Sequence, residues 1–125
     1  MKNNNLNVLL NKEWIISRLQ ILPEEIEKAE EEVIKATINL EKAEEELSEK
    51  ESELILNGEI NGKNETERKS QLTMKTKAER NKVEEAKHGL MKARLKYNRK
   101  VNEYRSVRAI ASLISSIEDE EEKAV

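Results

Sequence analysis

The chain has 125 residues, of which 39% are charged and 2% are aromatic, and its net charge at pH 7 is −3. Such scarcity of aromatic side chains argues against the thick core of a globular enzyme, whereas the abundance of Glu, Lys, Ala and Leu is typical of long helices and coiled coils. The absence of cysteine excludes disulfide bonds, thiolate zinc sites and thiol nucleophiles.

The sequence also carries no sign of membrane insertion or export. No apolar run approaches the roughly 18 residues that a membrane-spanning helix needs. The first residues lack the apolar region and the cleavage site of a signal peptide. We therefore expect a cytoplasmic protein that makes no membrane contact.

Residues 1–22 predict a polar start followed by a short amphipathic helix. Pro23 comes next. Inside a helix, proline lacks an amide donor and clashes with the carbonyl four residues earlier, here that of Leu19, whereas it is well tolerated at the first helical position. We therefore predict a break or kink between residues 20 and 24.

A long acidic helix is predicted over residues 23–56. Between residues 24 and 53 the chain has thirteen Glu and four Lys. The apolar residues recur at alternating steps of three and four, which is the heptad pattern of a coiled-coil seam. The seam positions are Ile26, Ala29, Val33, Ala36, Leu40, Ala43, Leu47 and Leu54.

Residues 57–64 contain two Asn-Gly pairs and predict a tight turn at which the chain reverses. Glycine in such pairs favours positive φ. Asn64, followed three residues later by Glu67, predicts a capping box that starts the next helix.

A long basic helix is predicted over residues 65–117, with an acidic, frayed tail over residues 118–125. Between residues 63 and 108 there are nine Lys and six Arg but only six Glu. Acids at a helix C-terminus oppose the helix dipole, which is why we expect the tail to fray. The seam positions are Leu72, Thr76, Val83, Ala86, Leu90, Ala93, Tyr97, Tyr104, Val107, Ala111 and Ile114.

The two long helices predict one all-α domain, an antiparallel coiled-coil hairpin. If Leu54 lies opposite Leu72, the same register places Ala36 opposite Leu90, so that large side chains meet small ones along the seam. The register continues past Pro23 and packs the N-terminal segment onto the end of the second helix. The pairs there are Leu22 with Tyr104, Leu19 with Val107, and Ile15 with Ala111.

Several apolar residues lie beside this seam, where a lone hairpin would leave them exposed. They are Trp14, Ile16, Ile21, Ile34, Ile38, Met91, Leu95, Ile110, Leu113 and Ile117. Because an exposed apolar surface of this size usually marks an interface, we predict a homo-oligomer, most simply a dimer that forms a four-helix bundle at the open end. The alternative is that the short N-terminal helix covers this surface by itself.

The tip and the basic helix suggest two further contacts. A tip contact would use Ile60, Lys63, Arg68 and Lys69, since loops on rigid scaffolds often bind partners; alternatively the turn packs on itself. A nucleic-acid face would use Lys92, Arg94, Lys96, Arg99, Lys100, Arg105 and Arg108, with two tyrosines interleaved. The register places Tyr97 and Tyr104 in the seam, which favours packing over base stacking.

No catalytic, cofactor-binding or metal-binding pattern is present in the sequence. His88 is the only histidine, and one histidine does not make a typical zinc site. The acidic runs lack the loop of an EF-hand, and no glycine is followed by a phosphate-loop Lys-Ser. We therefore predict a non-enzymatic protein without a cofactor that acts by binding another protein.

Residues 58–72 read Gly-Glu-Ile-Asn-Gly-Lys-Asn-Glu-x-x-Arg-x-x-Gln-Leu. This stretch resembles a pattern in small helical-hairpin proteins of bacteriophages and prophages. The resemblance implies a phage accessory or anti-defence protein that binds a host or phage protein in the host cytoplasm. The alternative that it implies is a DNA-binding accessory factor of phage replication or recombination that uses the basic helix.

Overall fold

A computed structural model describes the backbone of residues 2–124 and the side chains of residues 11–123. Three helices make up most of it: α1 (Lys2–Leu56), α2 (Glu65–Lys75) and α3 (Lys77–Ala124). The described residues contain no strand. The two long helices, α1 and α3, pack against each other, which confirms the predicted all-α helical hairpin. Within the described range, none of the helices is both long and apolar enough to cross a membrane.

Pro23 lies inside α1 rather than at the start of a second helix. The predicted break between residues 20 and 24 is therefore wrong, and the predicted short N-terminal helix is the first part of α1. Proline inside a helix costs about 3 kcal/mol. Its neighbour Leu22 is fully buried in a cluster with Ile15 and Val107. Ala29, which follows Pro23, is also buried, so a continuous helix keeps the buried residues on both sides of the proline in place, and this packing offsets the lost hydrogen bond.

Thr76 interrupts the predicted continuous helix over residues 65–117 and separates α2 from α3. Its amide and its hydroxyl both donate to the carbonyl of Leu72, at 3.0 and 2.5 Å. The hydroxyl also accepts a hydrogen bond of 2.9 Å from Nε of Arg80. Threonine hydroxyls compete with the backbone for such carbonyls and thereby bend or interrupt helices. The side chain of Thr76 is fully buried, so this hydrogen bonding takes place inside the core.

The C-terminal acidic stretch is helical, in contrast to the predicted frayed tail. α3 continues to Ala124, well beyond the predicted end at residue 117. Glu118 forms an ion pair with Lys12 of α1, which ties the first acid of the stretch to the hairpin. Lys123 lies in the last turn, where the helix dipole favours a positive charge.

By their packing, the residues of the hairpin divide into two compact units. The first unit comprises the chain up to Glu31 and from Leu95 onward. Its buried residues Ile15, Leu22 and Val107 form a cluster. The cluster is completed by partly buried Leu19, Tyr104, Ala111 and Ile114. The predicted packing of the N-terminal segment onto the end of the second long helix is thereby confirmed.

The second unit comprises residues Glu32–Arg94. Its most buried apolar residues, Ala43, Leu54, Val83 and Leu90, are all predicted seam positions. In both units, every predicted seam residue is buried or half-buried. The three-four spacing therefore identified the packed side of each helix correctly.

At the tip, α1 ends in a Schellman motif. The amides of Gly58 and Glu59 donate to the carbonyls of Ile55 and Leu54 at 3.1 and 3.0 Å. Gly58 has a φ of +72°, as its Asn-Gly pair predicts. Gly62 does not have positive φ, so that prediction is wrong. Glycine is required there for space, because a Cβ atom would lie 2.7 Å from Cβ of Glu67.

The loop after the turn is held by side chains of α2. The amide of Glu67 donates to Oδ1 of Asn64 at 2.9 Å, which confirms the predicted N-cap. The Glu67 carboxylate accepts from the amide of Lys63 rather than from that of Asn64. Oε1 of Gln71 accepts from the amides of Asn61 and Gly62 at 3.0 and 2.9 Å. The loop is thus rigidified by its own hydrogen bonds.

We expect Leu22→Ala to lower the free energy of unfolding by about 2–5 kcal/mol, because it leaves a cavity in the best-buried part of the first unit. Ile21→Ala is the matched control, since that neighbour is 43% exposed. Urea denaturation followed by circular dichroism measures both variants. Equal losses of stability would contradict the burial of Leu22.

The glycines give a second test of the fold. Gly89 lies in the middle of α3, and a Cβ atom there would meet nothing within 4 Å. We expect Gly89→Ala to raise the free energy of unfolding by about 0.5–1 kcal/mol through helix propensity. Gly62→Ala should lower it because of the contact with Glu67. Thermal unfolding of the two variants should therefore shift in opposite directions.

Candidate protein-interaction surface

Four charged residues of the first unit form a network that joins α1 to α3. Nη2 of Arg18 donates to Glu103 and to Glu25, at 2.8 and 3.0 Å. Nε of Arg18 also donates to Glu103 at 3.2 Å. Nζ of Lys100 donates to the same Glu25 oxygen at 3.2 Å. Two cations and two anions therefore neutralise each other across the helix pair.

These contacts change the ionisation of two of the four groups. The hydrogen bond from Arg18, followed by the one from Lys100, lowers the pKa of Glu25 below its ordinary value. The hydrogen bonds to Glu25 and Glu103 raise the pKa of Arg18. All four side chains are partly exposed, so water weakens each pair. Their main effect is on the geometry of the unit, since they hold α1 and α3 at a defined register.

The network places an apolar stripe of α1 at the junction of the two helices. Trp14, Arg18 and Ile21 are spaced by four and three residues and therefore share one side of α1. Trp14 is 53% exposed and Ile21 is 43% exposed. Arg18 lies between them and reaches across to α3.

A second apolar stripe lies on α3. Ile110 and Ile117 follow Glu103 at intervals of seven residues, so they share its side of α3, and Leu113 lies between them. These three apolar side chains are 45–61% exposed. Because Arg18 bonds Glu103, the two stripes are on the same side of the helix pair. By the antiparallel register, Trp14 lies level with residue 112 and Ile21 level with residue 105. We call Trp14, Ile21, Ile110, Leu113 and Ile117 the apolar face.

The structure confirms that all ten predicted interface residues are exposed on the single chain. Residues 11–22 of α1 leave them exposed, whereas the side chains of residues 1–10, on which that alternative also depends, lie outside the described residues. Ile16, however, is not part of the apolar face. It follows Trp14 by two residues, which rotates it by about 200° around α1. It lines a cleft of about 160 Å³ together with Leu19 and Ile114.

The remaining predicted interface residues lie apart from the apolar face. Leu95 precedes Ile110 by about four helical turns. The others, Ile34, Ile38 and Met91, belong to the second unit and are 43–58% exposed. Three of the predicted interface residues therefore belong to a different unit from the apolar face.

The second unit carries a shallow groove of about 440 Å³. Three alanines and Gly89 are among its lining residues, so that no large side chain fills it. Lys82 and Glu46, also in the lining, approach each other to 3.9 Å.

Three of the four residues of the predicted tip contact are half-buried or bonded within the tip region itself. Ile60 is half-buried. Arg68 donates to the carbonyl of Gly62 at 3.4 Å, and Lys69 pairs with Glu65 at 3.5 Å. The most exposed apolar residues near the tip are instead Leu56 and Met74, at 86% and 79%.

The predicted nucleic-acid residues do not form one surface. Lys100 belongs to the charged network, and the guanidinium of Arg108 lies 5.7 Å from the ring centre of Tyr104. Tyr97 and Tyr104 are half-buried in the seam, as the register predicts. By helical geometry, the exposed residues divide between two sides of α3. One side carries Lys92, Lys96 and Arg99, and the other carries Arg94 and Arg105.

The part of the chain that the structure describes contains no cluster of three or more His, Asp or Glu side chains able to hold a metal ion. His88 is exposed on α3. Comparisons with protein-family models, with curated proteins and with solved structures give no match for this chain. The phage resemblance of residues 58–72 therefore stays a prediction.

Sequence reasoning missed the charged network as a unit. The run of basic residues places Lys100 in the predicted nucleic-acid face, whereas no sequence pattern identifies Arg18, Glu25 or Glu103. The signal was present, because the predicted pairing of Leu22 with Tyr104 already brings Arg18 near Glu103. Only the side-chain geometry shows that the four groups bond one another.

The network predicts a pH dependence of stability. A folded-state pKa of Glu25 below its unfolded value means that its contribution is complete above about pH 4.5 and is lost as the pH falls through the lowered value. We expect Glu25→Gln to be less stable than the parent chain at neutral pH, and the difference to shrink in acid. Thermal unfolding across this pH range measures it. Glu24→Gln is the control, since Glu24 has only a surface contact with Lys28 at 4.0 Å.

Proposed function

We propose that this chain is a non-enzymatic coiled-coil interaction protein and that the apolar face is its binding surface. The observation that supports this is the grouping of five large apolar side chains, from two helices, each 43–61% exposed. An apolar surface of this kind on a protein in water usually marks a binding site. Two parallel stripes on a helix pair match the inner side of a helical bundle.

The two helices that carry the apolar face are held in place by buried residues and by the charged network. Leu22 and Val107, both buried in the cluster between α1 and α3 of the same unit, fix the two helices against each other. The network of Arg18 and its partners fixes the lateral register. A partner therefore meets a surface that is already ordered, which reduces the entropy lost on binding.

A cytoplasmic role as a phage accessory or anti-defence factor, acting on a host or phage protein, is part of this proposal. It rests on the resemblance of residues 58–72. Nucleic-acid binding is less supported, because the basic residues divide between two sides of α3 and two of them are engaged by Glu25 and Tyr104.

Site-specific photo-crosslinking in the producing cell tests the binding surface. A benzophenone side chain at position 113 replaces a face residue, Leu113. The matched control is position 112, where exposed Ser112 precedes it and points about 100° away around α3. We expect crosslinked protein from position 113 and little from position 112. Equal yields, or no product from position 113, would contradict the proposed function.

A further inference from the structure

The apolar face is built from both helices of the hairpin, and this limits what can cover it. A single partner helix would cover the junction of α1 and α3 but would leave part of each stripe exposed to solvent. A pair of helices with a similar apolar side covers both stripes, as in a four-helix bundle. A second copy of this chain offers such a pair. A closed contact of two identical surfaces requires only a two-fold axis.

The area is adequate for a weak dimer. Five large apolar side chains, each about half exposed, provide roughly 500 Å² per copy, so that two copies bury roughly 1,000 Å², which is near the lower limit for specific interfaces. The charges of Arg18, Glu25, Lys100 and Glu103 are already paired within each copy, so these four groups do not repel a second copy.

The order of charges along α3 selects one of the two possible two-fold arrangements. Basic residues extend to Arg108, the apolar stripe follows from Ile110 to Ile117, and the acids of residues 118–122 come last. If the α3 helices lie antiparallel and cross near Leu113, the acids of one copy lie level with Arg105 of the other. Arg108 precedes Ile110 by two residues, so it points about 200° away from that side chain and lies over Tyr104. In the other arrangement the two-fold axis is parallel to the helices. Both acidic stretches then lie at the same end of the bundle and repel each other.

We propose that the occupant of the apolar face is a second copy of this chain, related by a two-fold axis that passes near Leu113, with the two α3 helices antiparallel. This inference rests on the proposed function and names its partner. Leu113 then meets its own counterpart, and Ile110 of one copy meets Ile117 of the other. Trp14, the only tryptophan, becomes buried near the axis.

The first experiment measures mass by light scattering from sub-micromolar to high micromolar concentration. We expect a change from 14.5 kDa to twice that mass, together with a blue shift of the Trp14 emission. Leu113→Glu should weaken association at least about tenfold, equivalent to 1.4 kcal/mol or more. Met74→Glu is the control, because it puts the same charge on an exposed apolar residue of the second unit. A monomer mass at high concentration overturns the proposal.

The second experiment tests the orientation with single cysteines, since the chain has none of its own. Mixed Ile110→Cys and Ile117→Cys chains should form disulfides with each other in preference to themselves. In the antiparallel arrangement, two copies of position 110 are offset by about 9 Å along the helix axis and two copies of position 117 by about 12 Å. Both offsets are too long for a disulfide. Leu113→Cys should link to itself. Any other pattern overturns the orientation.

The two proposals fail differently. If the photo-crosslink from position 113 contains a different protein and the purified chain stays monomeric, the second copy is not the occupant, whereas the interaction surface stands. If position 113 yields no crosslink at all, the surface itself is refuted. A crosslinked product containing only this chain supports both.

Discussion

The interaction on which the rest of the structure depends is the burial of one narrow line of aliphatic side chains between α1 and α3. The chain has few large aromatic groups, so each buried position is small and the seam has little excess stability. Along such a line, alanine and leucine positions must alternate across the helix pair to fill space without voids. In the second unit, Ala43, Val83 and Leu90 are buried on this line.

At two places the helices differ from what local sequence preferences predict. Pro23 remains within α1 because Leu22 beside it is fully buried, and its position depends on the helix continuing. At Thr76, a buried seam residue separates α2 from α3, and its hydroxyl and its amide both donate to the carbonyl of Leu72. In both cases the outcome is decided by a buried neighbour or hydrogen bond that sequence spacing does not reveal.

The charged residues form individual ion pairs, in addition to giving the two arms of the hairpin opposite net charges. The network of Arg18, Glu25, Lys100 and Glu103 neutralises itself and positions the apolar face at the junction of two helices. Trp14, Ile21 and Ile110 remain exposed on the same side of the helix pair. The same pairing removes Lys100 from the basic surface that its sequence neighbours suggest.

The sequence by itself determined the fold class, the turn at residues 57–64, the cap at Asn64 and the packed side of each helix. These follow from local rules, namely heptad spacing, Asn-Gly turns and side-chain capping, each of which acts within a few residues. Only the tertiary structure decided the continuity of α1 through Pro23, the interruption at Thr76 and the division of the predicted interface. The first and the last of these depend on contacts between residues far apart in sequence, such as Arg18 with Glu103, whose energies local patterns do not contain. The interruption at Thr76 occurs where a buried hydroxyl bonds both Leu72 and Arg80.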